Sequence, residues 1–398
     1  MINIKETNNF RVSFLHLSFR PFFLFGSLFA IISMAVWFWL YQFEHTLPAS
    51  HQLLPTIWHA HEMIYGYGLA IITGFLLTAA KNWTGVRTLN GMPLLLLAIF
   101  WLIARISPAV DHAAAPNVMM AMDILFNIGL CSAFLYPIVK TKQWKQLGIW
   151  VLIVLLSVFN ILFYLGLNGK LQFGMEWGIS GGLYTILSLI LLVSRRVIPF
   201  FIERGVDENF KPTNRVWLDR STPPLLAAFV LFEVFLPYPV ITAAISLTLF
   251  LSQALRLAGW YTKGIWQKPL LSILFIAYGW IIIGFGLKTA GLFITVNPML
   301  ALHAFALGGI GLMTLGMMAR VALGHTGRNV FEPPNVLKWV FAFMVFASLL
   351  RIVFPLALPQ LNAVWVGMSQ ISWVLSFTLF VWVYAPILYL PRVDGQYG

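Results

Sequence analysis

Two histidines and a carboxylate, His59, His61 and Glu62, open the stretch WHAHEMIYGYGLAIITGFLLTAAKNWTG, residues 58 to 85, which is otherwise apolar enough to cross a bilayer. Ionisable groups are costly in hydrocarbon, and a functional site is the default reason for them. On a helix turning about 100° per residue, His59 and His61 point about 200° apart, so one helix presents an imidazole to each of two neighbours. That suits two centres flanking the helix better than one centre held by both. His59 and Glu62, three apart, share a face. Neutral imidazole is the commonest metal ligand and a common axial ligand of haem, so haem or copper is the first chemistry to consider. A hydrogen-bonded interfacial pair is the plain alternative, and it gives no reason for an apolar span.

The elements that must position these groups are membrane helices. Hydrophobic residues make up 60% of the chain and charged residues 10%, and its apolar runs repeatedly reach the roughly 20 residues that a spanning helix needs. The expected fold class is therefore an all-α integral membrane protein, one polytopic domain over residues 1 to 398. The first twenty residues show no small-residue cleavage site after a short apolar core, so no removed signal peptide is expected. A single cysteine, Cys131, excludes an intrachain disulfide and any cysteine-built zinc or iron-sulfur site. The net charge of +12 comes in small groups between apolar runs rather than along one stripe, which argues against nucleic acid as a partner and for the positive-inside rule.

Twelve spans are predicted, at about 22–42, 57–80, 91–108, 116–139, 147–166, 177–200, 222–238, 240–258, 269–291, 299–322, 337–355 and 363–387. With a cytoplasmic N-terminus, 21 of the Lys and Arg residues fall on one side and only Arg105, Lys170, Lys288 and Arg351 on the other, so both termini are expected in the cytoplasm. The longest cytoplasmic connection is residues 195–222, and a very tight turn is expected at Pro237, Tyr238 and Pro239. This orientation gives depths. His59, His61, Glu62, His303, Asp123, Glu233 and Arg105 all fall in the outer half, while His45, His51 and His112 read as solvated residues of outer loops.

An internal echo links spans two and ten. Gly66, Gly74, Thr84 and Gly85 follow His61 at offsets 5, 13, 23 and 24, and Gly308, Gly316, Thr326 and Gly327 follow His303 at the same offsets. Span six carries a fainter copy in Trp177 and Gly182. Three pseudo-repeats of four helices would result, with the glycines allowing close helix approach.

Four segments together resemble the NnrS family: the WHAHEMIYGYG stretch, FRPFFLFGSLFA from Phe19, RRVIPFF from Arg195 and HAFALGGIGLMTLGMMARVALGHTGR from His303 to Arg328. The resemblance covers nearly the whole chain. It implies a multi-pass bacterial inner-membrane protein that contains haem b and copper and protects against nitric oxide, that is, against nitrosative stress. Carried over by residue, it implies ligands at His59, His61, His303 and His325, and motif positions at Glu62, Arg20, Arg105, Arg196, Arg256 and Arg320. One departure is Phe275, near which the family pattern often has a histidine. Three sets of four helices with an H-x-H pair are also similar to haem-copper oxidases and nitric-oxide reductases, an analogy of fold only.

Each site has a plainer reading beside the functional one. His303 follows Asn297 and Pro298, a helix start, and either ligates or packs there. His325 is one membrane crossing away from His303, so it would help hold a second haem, with His16, or it is a loop residue. Glu62 would ligate, deliver protons, or hold an imidazole in one tautomer. Asp123 and Glu233 would be proton-path groups or partners of Arg105. Tyr65 and Tyr67 read chiefly as packing residues. The five arginines would clasp haem propionates or reach lipid phosphates. Met313, Met317 and Met318 are soft enough for copper, though packing accounts for them.

The reading that results is a haem and copper protein that handles nitric oxide near the outer face, reducing it to nitrous oxide with Glu62 as proton source and an unidentified electron donor. The alternatives are a non-catalytic metal-binding protector or sensor, and a secondary transporter.

Overall fold

A computed structural model describes residues 12–48, 53–206 and 210–398. Among them the chain is helical, without strands. We number the main helices α1 (Phe19–Gln42), α2 (Pro55–Thr84), α3 (Gly91–Ala109), α4 (Ala115–Thr141), α5 (Trp144–Leu167) and α6 (Gly174–Gly205). Then come α7 (Val216–Val230, continued by a π turn over Leu231–Phe235), α8 (Pro239–Trp260), α9 (Pro269–Ala290), α10 (Pro298–His325), α11 (Leu337–Ala357) and α12 (Pro359–Tyr389). The starts follow from sequence. Proline, whose missing N–H costs nothing in a first turn, opens α2, α8, α9 and α10. Asn297 caps α10 by accepting from the Met299 N–H at 2.9 Å.

Eleven of these helices are long and apolar enough to cross a membrane, and together they make a multi-pass helical membrane protein. The exception is α7, the seventh predicted span. It begins earlier than expected and carries Asp219, Arg220 and Glu233 besides the internal pair Pro223 and Pro224. The tight turn expected before α8 is there, at residues 236–238. The connection expected at 195–222 is shorter, because α6 runs on through Pro199 to Gly205 and takes Arg195 and Arg196 into its last turns. Proline disrupts a helix interior most where the freed carbonyl is buried from water, and this one lies close to the helix end. Of the predicted loop histidines, His51 lies outside the described residues.

Two helices form the centre. In α2, 89% of the most apolar stretch is buried, and in α10 78%, against 33–61% in the other nine. Polar contacts fix α2 on all sides: the Tyr65 hydroxyl donates to the Gly178 carbonyl of α6 at 2.6 Å, Tyr67 shares a 2.7 Å hydrogen bond with Thr314 of α10, and the Trp101 indole of α3 donates to the Gly66 carbonyl at 3.0 Å. Both central helices widen into π turns one residue after their histidine, over Glu62–Gly68 and Ala304–Gly311. Such bulges concentrate at functional sites.

The motif positions shared by the two helices do the same work in each. A Cβ on Gly66 would lie 2.6 Å from Phe29, and one on Gly308 would lie 2.5 Å from Trp280. Gly74 and Gly316 likewise have ring or aliphatic carbons within 3.0 Å of such a Cβ. Thr84 and Thr326 bond back to the carbonyls of Ala80 and Ala322, both at 2.7 Å, and Gly85 and Gly327 take φ of 71° and 76°.

Candidate functional site

His59 and His61 face opposite sides of α2, as their spacing requires. His61, fully buried, looks toward α5. Its Nδ1 lies 3.1 Å from Glu62 Oε1 and its Nε2 3.1 Å from Asn160 Oδ1, with Asp123 Oδ2 at 3.8 Å. Phe163 covers the ring at 4.3 Å. Arg105 donates from one nitrogen to Glu62 Oε2 at 2.6 Å and from the other to Asp123 Oδ1 at 2.5 Å, and the Tyr164 hydroxyl donates to Asp123 Oδ2 at 2.6 Å. Six side chains from α2, α3, α4 and α5 thus make one buried polar ring.

This arrangement changes two expectations. Both His61 nitrogens face side-chain oxygens rather than an open coordination position. Glu62 does not go with His59: one oxygen bonds His61 and the other Arg105, because the helix widens at Glu62 and the buried Arg105 draws the carboxylate toward α3. Asp123 pairs with Arg105, as one of its readings had it, and Glu62, read as a holder of an imidazole, bonds both His61 and Arg105. Glu233 is elsewhere, between Tyr184 at 3.1 Å and Lys288. Tyr65, bonded to Gly178, packs between α2 and α6.

His59 stands on the other side of α2. Its ring stacks on Trp37 of α1 with centroids 4.6 Å apart and planes 7° from parallel, and its buried Nδ1 has no hydrogen-bond partner. His303 occupies the corresponding place on α10, where its Nδ1 lies 2.7 Å from the Met299 carbonyl. That bond puts the proton on Nδ1 and leaves the Nε2 lone pair open. The two imidazoles are close enough for the charge of one to act on the other, and the guanidinium of Arg351 acts on both. One orphaned ring nitrogen and one imidazole held in a single tautomer by a backbone carbonyl fit axial donation to haem iron, which needs one protein donor per face. Copper fits less well: among the described residues no three His, Cys, Asp or Glu side chains come close enough together to hold a metal ion.

At the opposite ends of α2 and α10 the remaining candidates gather around the C-terminal segment. His16 stacks on Tyr397 with centroids 4.2 Å apart, and the His325 carbonyl accepts from Arg392 at 2.8 Å while its ring lies 5.7 Å from Phe19. Arg20 donates to the main-chain oxygens of Leu388, Leu390 and Gly398 at 2.6–2.8 Å. Arg196 bonds Gln146 at 3.1 Å, Arg256 bonds Asp219 at 2.7 Å and Thr222 at 3.1 Å, and Arg320 lies 3.7 Å over the Phe201 ring. Four of the five arginines named from sequence are therefore committed to protein acceptors. Met313 and Met317 line a small, half-open apolar pocket between α1, α2, α6 and α10, away from the histidines, and Met318 accepts from Ser27 at 3.7 Å. Phe275 packs on Tyr261 and Trp266. His45 stacks on Trp39, and His112 accepts from the Ala114 N–H.

Sequence reasoning missed Asn160, Tyr164 and Arg351. Asn160 and Gln146 are the two amide side chains of α5, and Arg351 is one of only four cations on the sparsely charged side, but neither fact names a partner.

Helices long enough to span a bilayer, wrapped around two histidine-bearing central ones, define a polytopic membrane protein with two partly buried imidazoles, those of His59 and His303, near one end of its core. The chain belongs to the NnrS protein family, whose model matches residues 13–392. That membership associates it with the nitric oxide response. No curated protein matches the chain at a significant level.

Proposed function

We propose that the protein resides in the bacterial inner membrane, holds haem b by His59 or His303, and takes up nitric oxide there as part of nitrosative-stress resistance. The observation that carries this is the pair itself: a buried His59 nitrogen without a partner, and a His303 ring whose proton is fixed on the far nitrogen. When bound, the haem supplies an iron with a position open to the gas. Trp37 sets the plane of His59, and the Met299 carbonyl sets the tautomer of His303. The apolar walls need no polar pore, because nitric oxide partitions into lipid.

Reduction would join two molecules of nitric oxide with two electrons and two protons to give nitrous oxide and water. The electrons come from a donor outside this chain. In this reading Glu62, bonded to His61 and Arg105, passes protons inward from the face where α2 begins. Copper, which these residues fit less well, would have whichever of His59 and His303 the haem does not use as one of its donors. The lack of a three-donor group among the described residues favours a second reading, a haem protein that binds nitric oxide without turning it over.

Purified protein under anaerobic conditions separates these readings. A Soret shift on adding nitric oxide, with nitrous oxide formed when an artificial donor is supplied, supports the reductase. The shift without nitrous oxide supports the binder. A colourless preparation without iron returns the transporter to first place.

A further inference from the structure

Four cations lie on the side where the charge pattern leaves fewest, and the structure accounts for three. Arg105 is shared between Glu62 and Asp123, Lys288 pairs with Glu233, and Lys170 is exposed in the turn after α5. The fourth, Arg351, sits half-buried near the end of α11 and makes no ion pair or hydrogen bond among the described residues. Ionised groups inside an apolar span are almost always paired, so the missing anion is what needs explaining.

Its surroundings point to where the anion belongs. The first turns of α10, ending at His303, pack on the helix that bears Arg351, and the guanidinium acts electrostatically on His303, His59 and Tyr41. Trp37, which stacks on His59, touches Tyr41 with ring centroids 5.2 Å apart. Two imidazoles and a phenol lie within electrostatic reach of the charge, and none of them is a carboxylate that neutralises it. The guanidinium fork matches a carboxylate with two parallel hydrogen bonds. The other arginines are poor competitors: Arg20, Arg105, Arg196 and Arg256 are engaged, and Arg320 is 17 residues beyond His303 on the same helix, about 25 Å at 1.5 Å per residue.

We infer that Arg351 binds a carboxylate of the molecule held at His59 and His303, which, resting on the function proposed above, is a propionate of haem. The test uses protein purified without haem from haem-deprived cells, titrated with protohaem and with protohaem dimethyl ester, which keeps iron and ring and lacks both carboxylates. The wild type is expected to bind protohaem about tenfold tighter than the ester, the scale of one hydrogen bond to a charged group. Arg351→Gln is expected to bind both alike, and Arg351→Lys, which keeps the charge without the fork, to fall between. Equal affinities in the wild type, or an undiminished preference in Arg351→Gln, would overturn the inference while leaving histidine ligation standing, with Arg351 then serving a lipid phosphate. No uptake of either compound by the wild type overturns the haem reading and this inference together. If Arg351→Gln takes up neither compound, Arg351→Lys decides: a retained preference for protohaem supports the inference and its loss counts against it.

Discussion

Arg105 is the residue on which the buried polar ring depends. Without it Glu62 and Asp123 face each other as uncompensated carboxylates, so Arg105→Gln is expected to cost about 3–5 kcal/mol, seen as a lower thermal midpoint in detergent or loss of folded protein. Tyr67→Phe removes one hydrogen bond and should cost about 1 kcal/mol by the same measurement. If the two variants melted alike, the ring would not be the structural charge centre described. Outside the spans, the Arg392 hydrogen bond holds the Asp394 carboxyl at about 2, below its ordinary 3.8. Because the folded value is the lower one, this contact contributes fully above about pH 4 and is lost as pH falls toward 2. Hydrogen exchange in residues 391–398 should be steady from pH 7 to 5, once corrected for intrinsic rate, and accelerate on further acidification. Equal protection at every pH would contradict it. At this scale, sequence showed which polar residues share a depth but not who bonds whom. Asn160 and Tyr164 have ordinary packing readings in an apolar run, and the importance of Arg351 lies in a partner it lacks, which no linear pattern displays.

At the scale of helices, α2 and α10 can occupy the centre because glycines let their neighbours in. Gly66→Ala would set a methyl against Phe29 and the Glu62 to Arg105 pair, and Gly308→Ala one against Trp280. Each should cost about 1–3 kcal/mol of stability. Gly279→Ala, where a Cβ meets nothing within 4 Å, should instead be neutral or slightly stabilising. Thermal melts of the three variants check this, and equal midpoints would contradict it. The spans were legible because hydrophobic length is a strong signal, and His59 and His61 on opposite faces followed from helix pitch alone. The placing of Glu62 was not legible, because the π turn that begins there changes the pitch. Nor was the short connection before α7, since α6 and α7 both run past their apolar stretches into charged sequence.

Over the whole molecule, the 21 to 4 division of Lys and Arg argues that both termini face the cytoplasm. Reporter fusions at the two ends should agree, and opposite locations would overturn the orientation and with it the outer position of His59 and His303. The molecule gathers its histidines at two ends of the central helices, His59 and His303 at one, His16 and His325 at the other. That division was foreseen from the crossing of α10.

The most direct test is iron content and the reduced-minus-oxidised spectrum of the purified wild type beside His59→Ala, His303→Ala and His61→Ala. The account predicts a haem spectrum in the wild type and loss of iron and Soret absorbance in His59→Ala or His303→Ala or both. His61→Ala, where purified protein is recovered, should keep its haem. Full haem loading in both His59→Ala and His303→Ala, or a wild type free of iron, would contradict it.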